Sequence, residues 1–277
     1  MVRNRKEGQR LGKNTINNYL NTELSLLAEN ERLEVIHSLI ERLKIEFEKQ
    51  DKSGIYGLTQ RKLAYNSNKI EGSTLTEKQT SSLFETGTVL ASDEVYKAKD
   101  IEETRGHFLM FNEMLKTWNE ALTEGLIKKY HFRLKSGVFE DLANGYPIGE
   151  YKNRRNMVSD IVTALPNEVE GRMKELLHEY ESQEERGLYE LAKFHAEYEK
   201  IHPFQDGNGR TGRLLLYKEC LRNGLVPIII QDANKGTYYA ALNKAQTESD
   251  FKQLMELFVK EQEAYYLIMR DFLYVFN

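Results

Sequence analysis

Twelve consecutive residues, His202 to Arg213, read HPFQDGNGRTGR. They hold the side-chain types needed for chemistry on a phosphate. His202 can take a proton near neutral pH. Asp206 offers hard oxygen ligands suited to Mg²⁺. Gly207 and Gly209 can adopt backbone angles that other residues avoid, and they let phosphate oxygens approach the main chain closely. Arg210 and Arg213 are three apart, so both project from one side of a helix and suit a polyphosphate. The apolar run Leu214-Leu215-Leu216-Tyr217 follows at once. That order reads as a loop feeding a buried helix, whose first turn presents free N–H groups and positive potential. Pro203 disfavours helical geometry at His202. Each residue alone is ordinary, and Arg pairs at this spacing are usually solvated. Together they place a base, a metal ligand, an anion cradle and a charge clamp in one loop.

The elements that must position this loop are helical by their spacing. Leu33, Ile36, Ile40, Leu43 and Phe47 step by three or four and predict one amphipathic helix over 23–47. A polar connection follows over 49–57, then a helix over 59–70 that Gly72 ends with a left-handed cap. Thr76 reads as the next N-cap, with Gln79 completing the box. Glu71 lies at a helix end, where an anion opposes the dipole, so a cationic partner is expected. A long helix is predicted from Ser92 or Asp93 to Trp118, with Phe108, Phe111 and Leu115 as core, and another over 123–135. His131 within that helix reads as structural. The stretch 145–166, punctuated by Gly145, Pro147, Gly149 and Pro166, predicts a short hairpin or an irregular loop. Helices over 168–181 and 188–201 follow, and the second delivers the chain to His202. His195, beside apolar Phe194, reads as core or supporting. Asn223-Gly224 and Pro227 stop the signature helix. Val226 to Ile230 reads as buried, a helix starts at Gly236, and 251–276 closes the chain as a long helix.

Composition agrees with a mostly α protein. The 277 residues are 40% hydrophobic and 30% charged, with four prolines. That length allows one large domain or a core with a smaller helical extension. Net charge is −4, which gives no general field for nucleic acid, and no reader motif is apparent. No apolar run approaches membrane-spanning length, and Met1 to Asn14 has no signal-peptide pattern. The single cysteine, Cys220, lies in an apolar helix pattern and suits a reducing compartment; the cytoplasm is expected. The long apolar helices leave room for a homodimer.

The run from His202 to Arg213 resembles the signature of the Fic family, H-x-F-x-[D/E]-G-N-G-R-x-x-R, at every specified position. The resemblance implies a Fic-type helical bundle with a short β-hairpin flap near the active site. It implies an N-terminal helical extension over 1–90 and a catalytic domain over 91–277, with the flap at about 149–166. The implied activity moves AMP from ATP onto a Ser, Thr or Tyr hydroxyl of a target protein and releases pyrophosphate. His202 would be the base, Asp206 the Mg²⁺ ligand, and Gly207, Asn208, Gly209, Arg210, Thr211, Gly212 and Arg213 the phosphate site. Ser67-x-x-x-Glu71-Gly72 resembles the family's inhibitory motif, in which the Glu pairs with the second signature arginine, here Arg213. Gly149-Glu150-Tyr151-Lys152 resembles the lead into the flap, which would place Asn156, Met157, Val158 and Ser159 beside the nucleotide. Lys152 stands where Arg is usual, and Asn156 where an apolar residue is common. Tyr238 and Tyr239, with Gln246 eight on from the first, are similar to the family's lining of the adenine and ribose. Self-modification is also implied. The alternatives are a hydrolase of the same fold that removes AMP, an enzyme that transfers another phosphate-containing group, and a nucleotide-sensing module that does no chemistry. Gly207 argues against phosphate transfer.

Overall fold

Apolar spacing sets where the helices lie, and polar contacts set where they begin. The protein is represented by a computed structural model that describes residues 23–90, 95–158 and 161–273; at 157, 158, 161 and 162 it describes the backbone alone. The first predicted helix is two: α1, Glu23–Leu26, and α2, Glu29–Glu48. The break falls at Ala28, which is extended (φ −64°, ψ 161°). Carboxylates fix it. Glu31 accepts the Ala28 N–H at 2.6 Å, and Glu263 accepts the N–H groups of Glu23 and Leu24 at 2.9 and 3.1 Å. α2 buries Val35, Ile36, Leu39, Ile40 and Leu43, whereas Leu33, assigned above to that stripe, is 41% exposed. α3, Ile55–Ile70, begins earlier than its spacing indicated because Glu46 accepts the Tyr56 N–H at 2.8 Å and so serves the helix start. Gly72 takes the left-handed conformation expected of it (φ 91°). α4, Glu77–Thr86, has the reciprocal Thr76–Gln79 cap.

α5 runs over Ala98–Lys116 rather than from Ser92 or Asp93, and 91–94 lie outside the described residues. Lys97 is extended, and its N–H donates to Thr74 Oγ1 at 3.3 Å, which delays the helix. α6, Glu124–Lys135, starts at the cap Thr123. The two helices approach so closely that a Cβ on Gly106 of α5 would lie 1.9 Å from the Leu134 carbonyl oxygen of α6. A five-residue helix, α7 at Phe139–Ala143, was not legible in the sequence. The predicted hairpin is present as β1, Met157–Val158, paired antiparallel with β2, Ile161–Val162, with Met157 opposite Val162. Pro166 is not part of its punctuation; it opens α8, Pro166–Glu181, at a position where a missing N–H costs nothing.

α9, Leu188–Ile201, leads into the signature loop, and α10, Asn208–Arg222, follows it. α10 is buried from Asn208 to Leu221 and forms the centre of the molecule. Gly224 is left-handed after it (φ 67°), and Val226 and Ile228 to Ile230 are buried. α11, Lys235–Glu248, and α12, Lys252–Leu273, complete the chain. One hydrophobic core extends from Val35 to Met269, so α2 and α3 share it with α10. Among the described residues no helix is long and apolar enough to cross a membrane. Gly106→Ala should lower unfolding stability by about 1–3 kcal/mol, because backbone must move to admit a methyl group. Urea denaturation with an unchanged midpoint would show that the α5–α6 approach has slack.

Candidate active site

The signature loop is held from several sides. His202 is left-handed (φ 53°, ψ 62°), an uncommon state for a residue with a side chain. It is fixed by its neighbours. The Asn208 amide accepts the Phe204 N–H at 2.7 Å and donates to the Phe204 carbonyl at 2.8 Å. The Lys152 N–H donates to the Pro203 carbonyl at 2.9 Å, and the Ala164 N–H to that of Ile201 at 3.3 Å, so the two flanks of the hairpin clasp the loop. His202 Nδ1 lies 3.3 Å from the Glu199 carbonyl oxygen, which leaves Nε2 as the nitrogen able to accept a proton. Burial pushes its pKa down to about 4, against that carbonyl, so the ring is neutral at pH 7. His131 is structural, as expected. It stacks on Phe204 at 3.8 Å, accepts the Gly149 N–H on Nδ1 at 3.0 Å, and faces the Asp206 carbonyl with Nε2 at 2.9 Å.

Arg213 and Arg210 are both 2% exposed, and each is met by acid from another part of the chain. Arg213 donates to Ser67 Oγ at 3.0 Å, to the Ser67 carbonyl at 2.9 Å and to Glu71 Oε1 at 2.6 Å. Serine and glutamate of the N-terminal motif therefore grip one guanidinium together. Burial raises the Glu71 pKa, but Arg213 and then Arg210 outweigh it and hold the carboxyl below its ordinary value. The carboxylate also lies on the glycine turn. A Cβ on Gly209 would sit 2.3 Å from Glu71 Oε1. Gly209 has ordinary helical geometry, so its role is space; of the two glycines singled out, Gly207 alone needs a left-handed backbone (φ 82°).

Arg210 pairs with Glu103 and reaches Asp206 Oδ1 at 3.2 Å. Asp206 Oδ1 also accepts the Gly207 N–H at 2.7 Å, and Oδ2 accepts Lys135 Nζ at 2.7 Å. Burial raises the Asp206 pKa; Arg210, Lys135 and Lys99 outweigh it and hold the carboxyl far below the carboxylate range. Glu103, Asp141 and Asp206 together form an acidic trio whose oxygens lie within 4.8 Å of one another. Asp141 and Glu103 are 1% and 9% exposed and close on Lys135, whereas Asp206 is 34% exposed. Asp206 is thus the open carboxylate of the trio, and one such hard oxygen donor fits Mg²⁺, an ion that keeps most of its other positions for water or phosphate oxygens.

The remaining predicted residues fall into two groups. Thr211 bonds the Gly207 carbonyl at 2.9 Å, and Gly212 packs where a Cβ would lie 2.2 Å from Glu199 Oε1; both face the interior of the bundle. Tyr238 is buried with its hydroxyl 2.8 Å from His195 Nε2, Tyr239 is 39% exposed beside it, and Gln246 donates to the Ala196 carbonyl at 3.0 Å. Both tyrosines are close enough to influence the Arg213 charge. On the flap side, Asn156 donates to the Phe204 carbonyl at 2.9 Å and accepts Lys152 Nζ at 2.6 Å. The two departures from the usual flap pattern therefore touch each other. Met157 and Val158 are placed by their backbone alone, and Ser159 lies outside the described residues.

Sequence reasoning missed Glu103, Asp141, Lys99, Lys135 and Glu199. One signal was available: Lys135 is four residues after His131 and so shares its buried face. Glu199 is buried against Gly212 beside Arg213. Burial raises its pKa to about 8, against the pull of Arg213.

Residues 121–220 match the Fic/DOC family. The chain is 30% identical over 186 residues to the protein adenylyltransferase Fic of Nematostella vectensis, covering 65% of this chain and 42% of that protein. It is 32% identical over 197 residues to the protein of the same name from Drosophila mojavensis, covering 68% and 37%. It thus spans about two-fifths of the length of these curated relatives. Among solved structures, a Fic domain containing signaling protein from Bacteroides thetaiotaomicron has a similar fold, with a TM-score of 0.63 at 24% identity over 87% of this chain and 92% of that one. Fic-1 from C. elegans superposes with a TM-score of 0.63 at 22% identity, over 88% and 73%.

The buried ionisable groups make stability depend on pH. Burial lowers His107 and His195 to about 3, and His202 to about 4, from 6.5. A depressed folded pKa means that the unfolded chain takes the proton first. This contribution to stability is therefore full above about 6.5 and is lost as pH falls towards 4. The melting temperature should drop by about 10 °C between pH 7 and pH 5. Glu199, raised from 4.5 to about 8, acts in the opposite sense: its contribution is full below 4.5 and is lost as pH rises through 8. Glu199→Gln should then be at least as stable as the parent at alkaline pH. A melting temperature flat from pH 7 to pH 5, or a Gln variant weakened at alkaline pH, would contradict these assignments.

Proposed function

The chain belongs to the Fic/DOC family, and on that premise we propose that it is an autoinhibited protein adenylyltransferase. It transfers AMP from ATP to a hydroxyl side chain of a target protein. The observation that carries the regulated form of this reading is the Glu71 carboxylate, bonded to Arg213 and lying on Gly209. A guanidinium so occupied does not receive a phosphate equally well.

Neutral His202 takes the proton of the target hydroxyl on Nε2. The freed oxygen attacks the α-phosphorus, the new P–O bond forms, and the bond to the β-phosphate breaks with pyrophosphate as leaving group. Arg210 and Arg213 balance charge on the departing phosphates. The N–H groups at the start of α10 lie over the Gly207 turn and suit the phosphate nearest the attack. Mg²⁺, held by Asp206 with phosphate oxygens, would supply further charge neutralisation. Tyr238, Tyr239 and Gln246 flank the side on which the base and ribose would lie, and the hairpin would register the target segment. The buried single cysteine, Cys220, fits a reducing compartment such as the cytoplasm.

Incubation of the protein with α-phosphorus-labelled ATP, Mg²⁺ and cell lysate tests the reading, with adduct mass as the second readout. Glu71→Gly should raise labelling of lysate proteins, or of the enzyme itself, by about 5- to 100-fold. His202→Ala should lower it by about 100-fold or more. Tight ATP binding with no AMP adduct from either the parent or the Glu71→Gly protein would instead identify a nucleotide sensor. Unchanged labelling in Glu71→Gly would remove the brake while leaving the transferase.

A further inference from the structure

Lys135 ends α6 with its side chain 2% exposed, and its ammonium group sits inside the acidic trio. Nζ lies 2.6 Å from Glu103 Oε1, 2.5 Å from Asp141 Oδ2 and 2.7 Å from Asp206 Oδ2. The three carboxylates come from three separate parts of the chain: α5, α7 and the signature loop. Convergence of three hard oxygens on one point is the geometry of a cation site, and here the cation is covalently attached. A simple buried ion pair needs one acid, and each further buried carboxylate adds a desolvation cost unless it is matched. The matching cations are Arg210, on the other oxygen of Glu103, and Lys99, 3.6 Å from Asp206 and 3.7 Å from Asp141. The trio therefore faces three cations with Lys135 at the centre, and the exposed Glu140 adds a fourth acid on the outer side of Lys99 at 3.4 Å.

We propose that Lys135 is a positioning residue whose ammonium fills a built cation site, and so presents Asp206 and, through Glu103, Arg210 to the nucleotide. This rests on the reading that Asp206 and Arg210 meet a nucleotide. Lys135 fixes Asp206 Oδ2, while the Gly207 N–H and Arg210 fix Oδ1. The carboxylate is thereby oriented before any ligand arrives. A divalent ion would then find no vacant trio, and Asp206 would offer it the open side of its carboxylate together with the phosphates.

The test uses Mn²⁺ alone, without nucleotide, with the free ion counted by electron paramagnetic resonance. The parent protein should bind weakly. Lys135→Ala, which removes charge and opens space, should gain a site at least roughly tenfold tighter. Adding Glu103→Gln to that variant should abolish the gain. Lys135→Met keeps the volume and removes the charge; its affinity for a fluorescent ATP analogue with Mg²⁺ should fall roughly tenfold. A folded Lys135→Ala protein that binds no more Mn²⁺ than the parent overturns the cation-site assignment. A Lys135→Met protein with parental nucleotide affinity overturns the positioning role, and decides alone should Lys135→Ala fail to fold. A lysine that served the fold alone would lower the melting temperature and leave the affinity for the ATP analogue unchanged. Neither readout requires AMP transfer, so this proposal and the adenylyltransferase reading can fail separately.

Discussion

Arg213 is a permanent positive charge placed in the interior of a helical bundle, and the cost of an unmatched charge there is several kcal/mol. Much of the local structure follows from matching it. The partner acid does not come from α10 or its neighbours in sequence; Glu71 arrives at the end of α3, with Ser67 one turn earlier. For that end to reach Arg213, α3 has to be seated in the common core, and it is, through Leu63, Ala64 and Ile70. Glu46 serves its first turn, and Asp100 Oδ2 accepts both the N–H and the hydroxyl of Thr74 at 2.7 and 2.6 Å just beyond its last. The N-terminal helices therefore act as a mount for one carboxylate.

Arg210, one turn earlier on α10, is matched by a different set. Glu103 from α5 and Asp206 from the loop meet it, and Lys135 lies between those two acids. Two arginines one turn apart on one helix are thus served by different helices. The assemblies are nevertheless within electrostatic reach: Arg210 lowers Glu71, and Glu71 bears on Asp206's partner Arg210 in turn. Loss of Glu71 would therefore change the field at Arg210 as well as at Arg213.

The local part of this arrangement was legible in the sequence. His202, Asp206, the glycines and both arginines lie within twelve residues, and Glu71 sits in a short motif at a helix end where its charge was already anomalous. Helices over α3, α6, α8, α9 and α10 followed from apolar spacing and caps. What failed was tertiary in origin. The start of α1 depends on Glu263, and the late start of α5 depends on Thr74; neither partner is near in sequence. The sequence did not set Lys135 apart, since a base in the last turn of a helix is ordinary. Nor did it single out Glu103 or Asp141. Their burial became visible only when α5, α6 and α7 were brought together. Asn208 was read as a phosphate ligand, yet its amide is already engaged on both edges by Phe204. Lys152 and Asn156, each a departure when taken singly, form one hydrogen-bonded unit with Thr163, so the second substitution accommodates the first.

The glycines of α10 carry the last step. Gly209 and Gly212 have no need of unusual backbone angles; a Cβ on either would meet the carboxyl group of a glutamate, Glu71 at one and Glu199 at the other. Arg213 thus has two acids near it, and they are not equivalent. Glu71 is held ionised, while Glu199, with its pKa at about 8, is protonated at neutral pH. A neutral Glu199 fills space beside Arg213 without discharging it. On the adenylyltransferase reading that asymmetry is what allows a switch. If both acids were ionised, withdrawal of Glu71 would leave Arg213 still matched, and an arriving phosphate would gain little. With Glu199 neutral, withdrawal of Glu71 would leave a buried guanidinium short of negative charge, which a phosphate would supply. On that reading the close packing at Gly212 and the ability of Arg213 to exchange one anion for another would have a common origin in the depth at which Glu199 is buried.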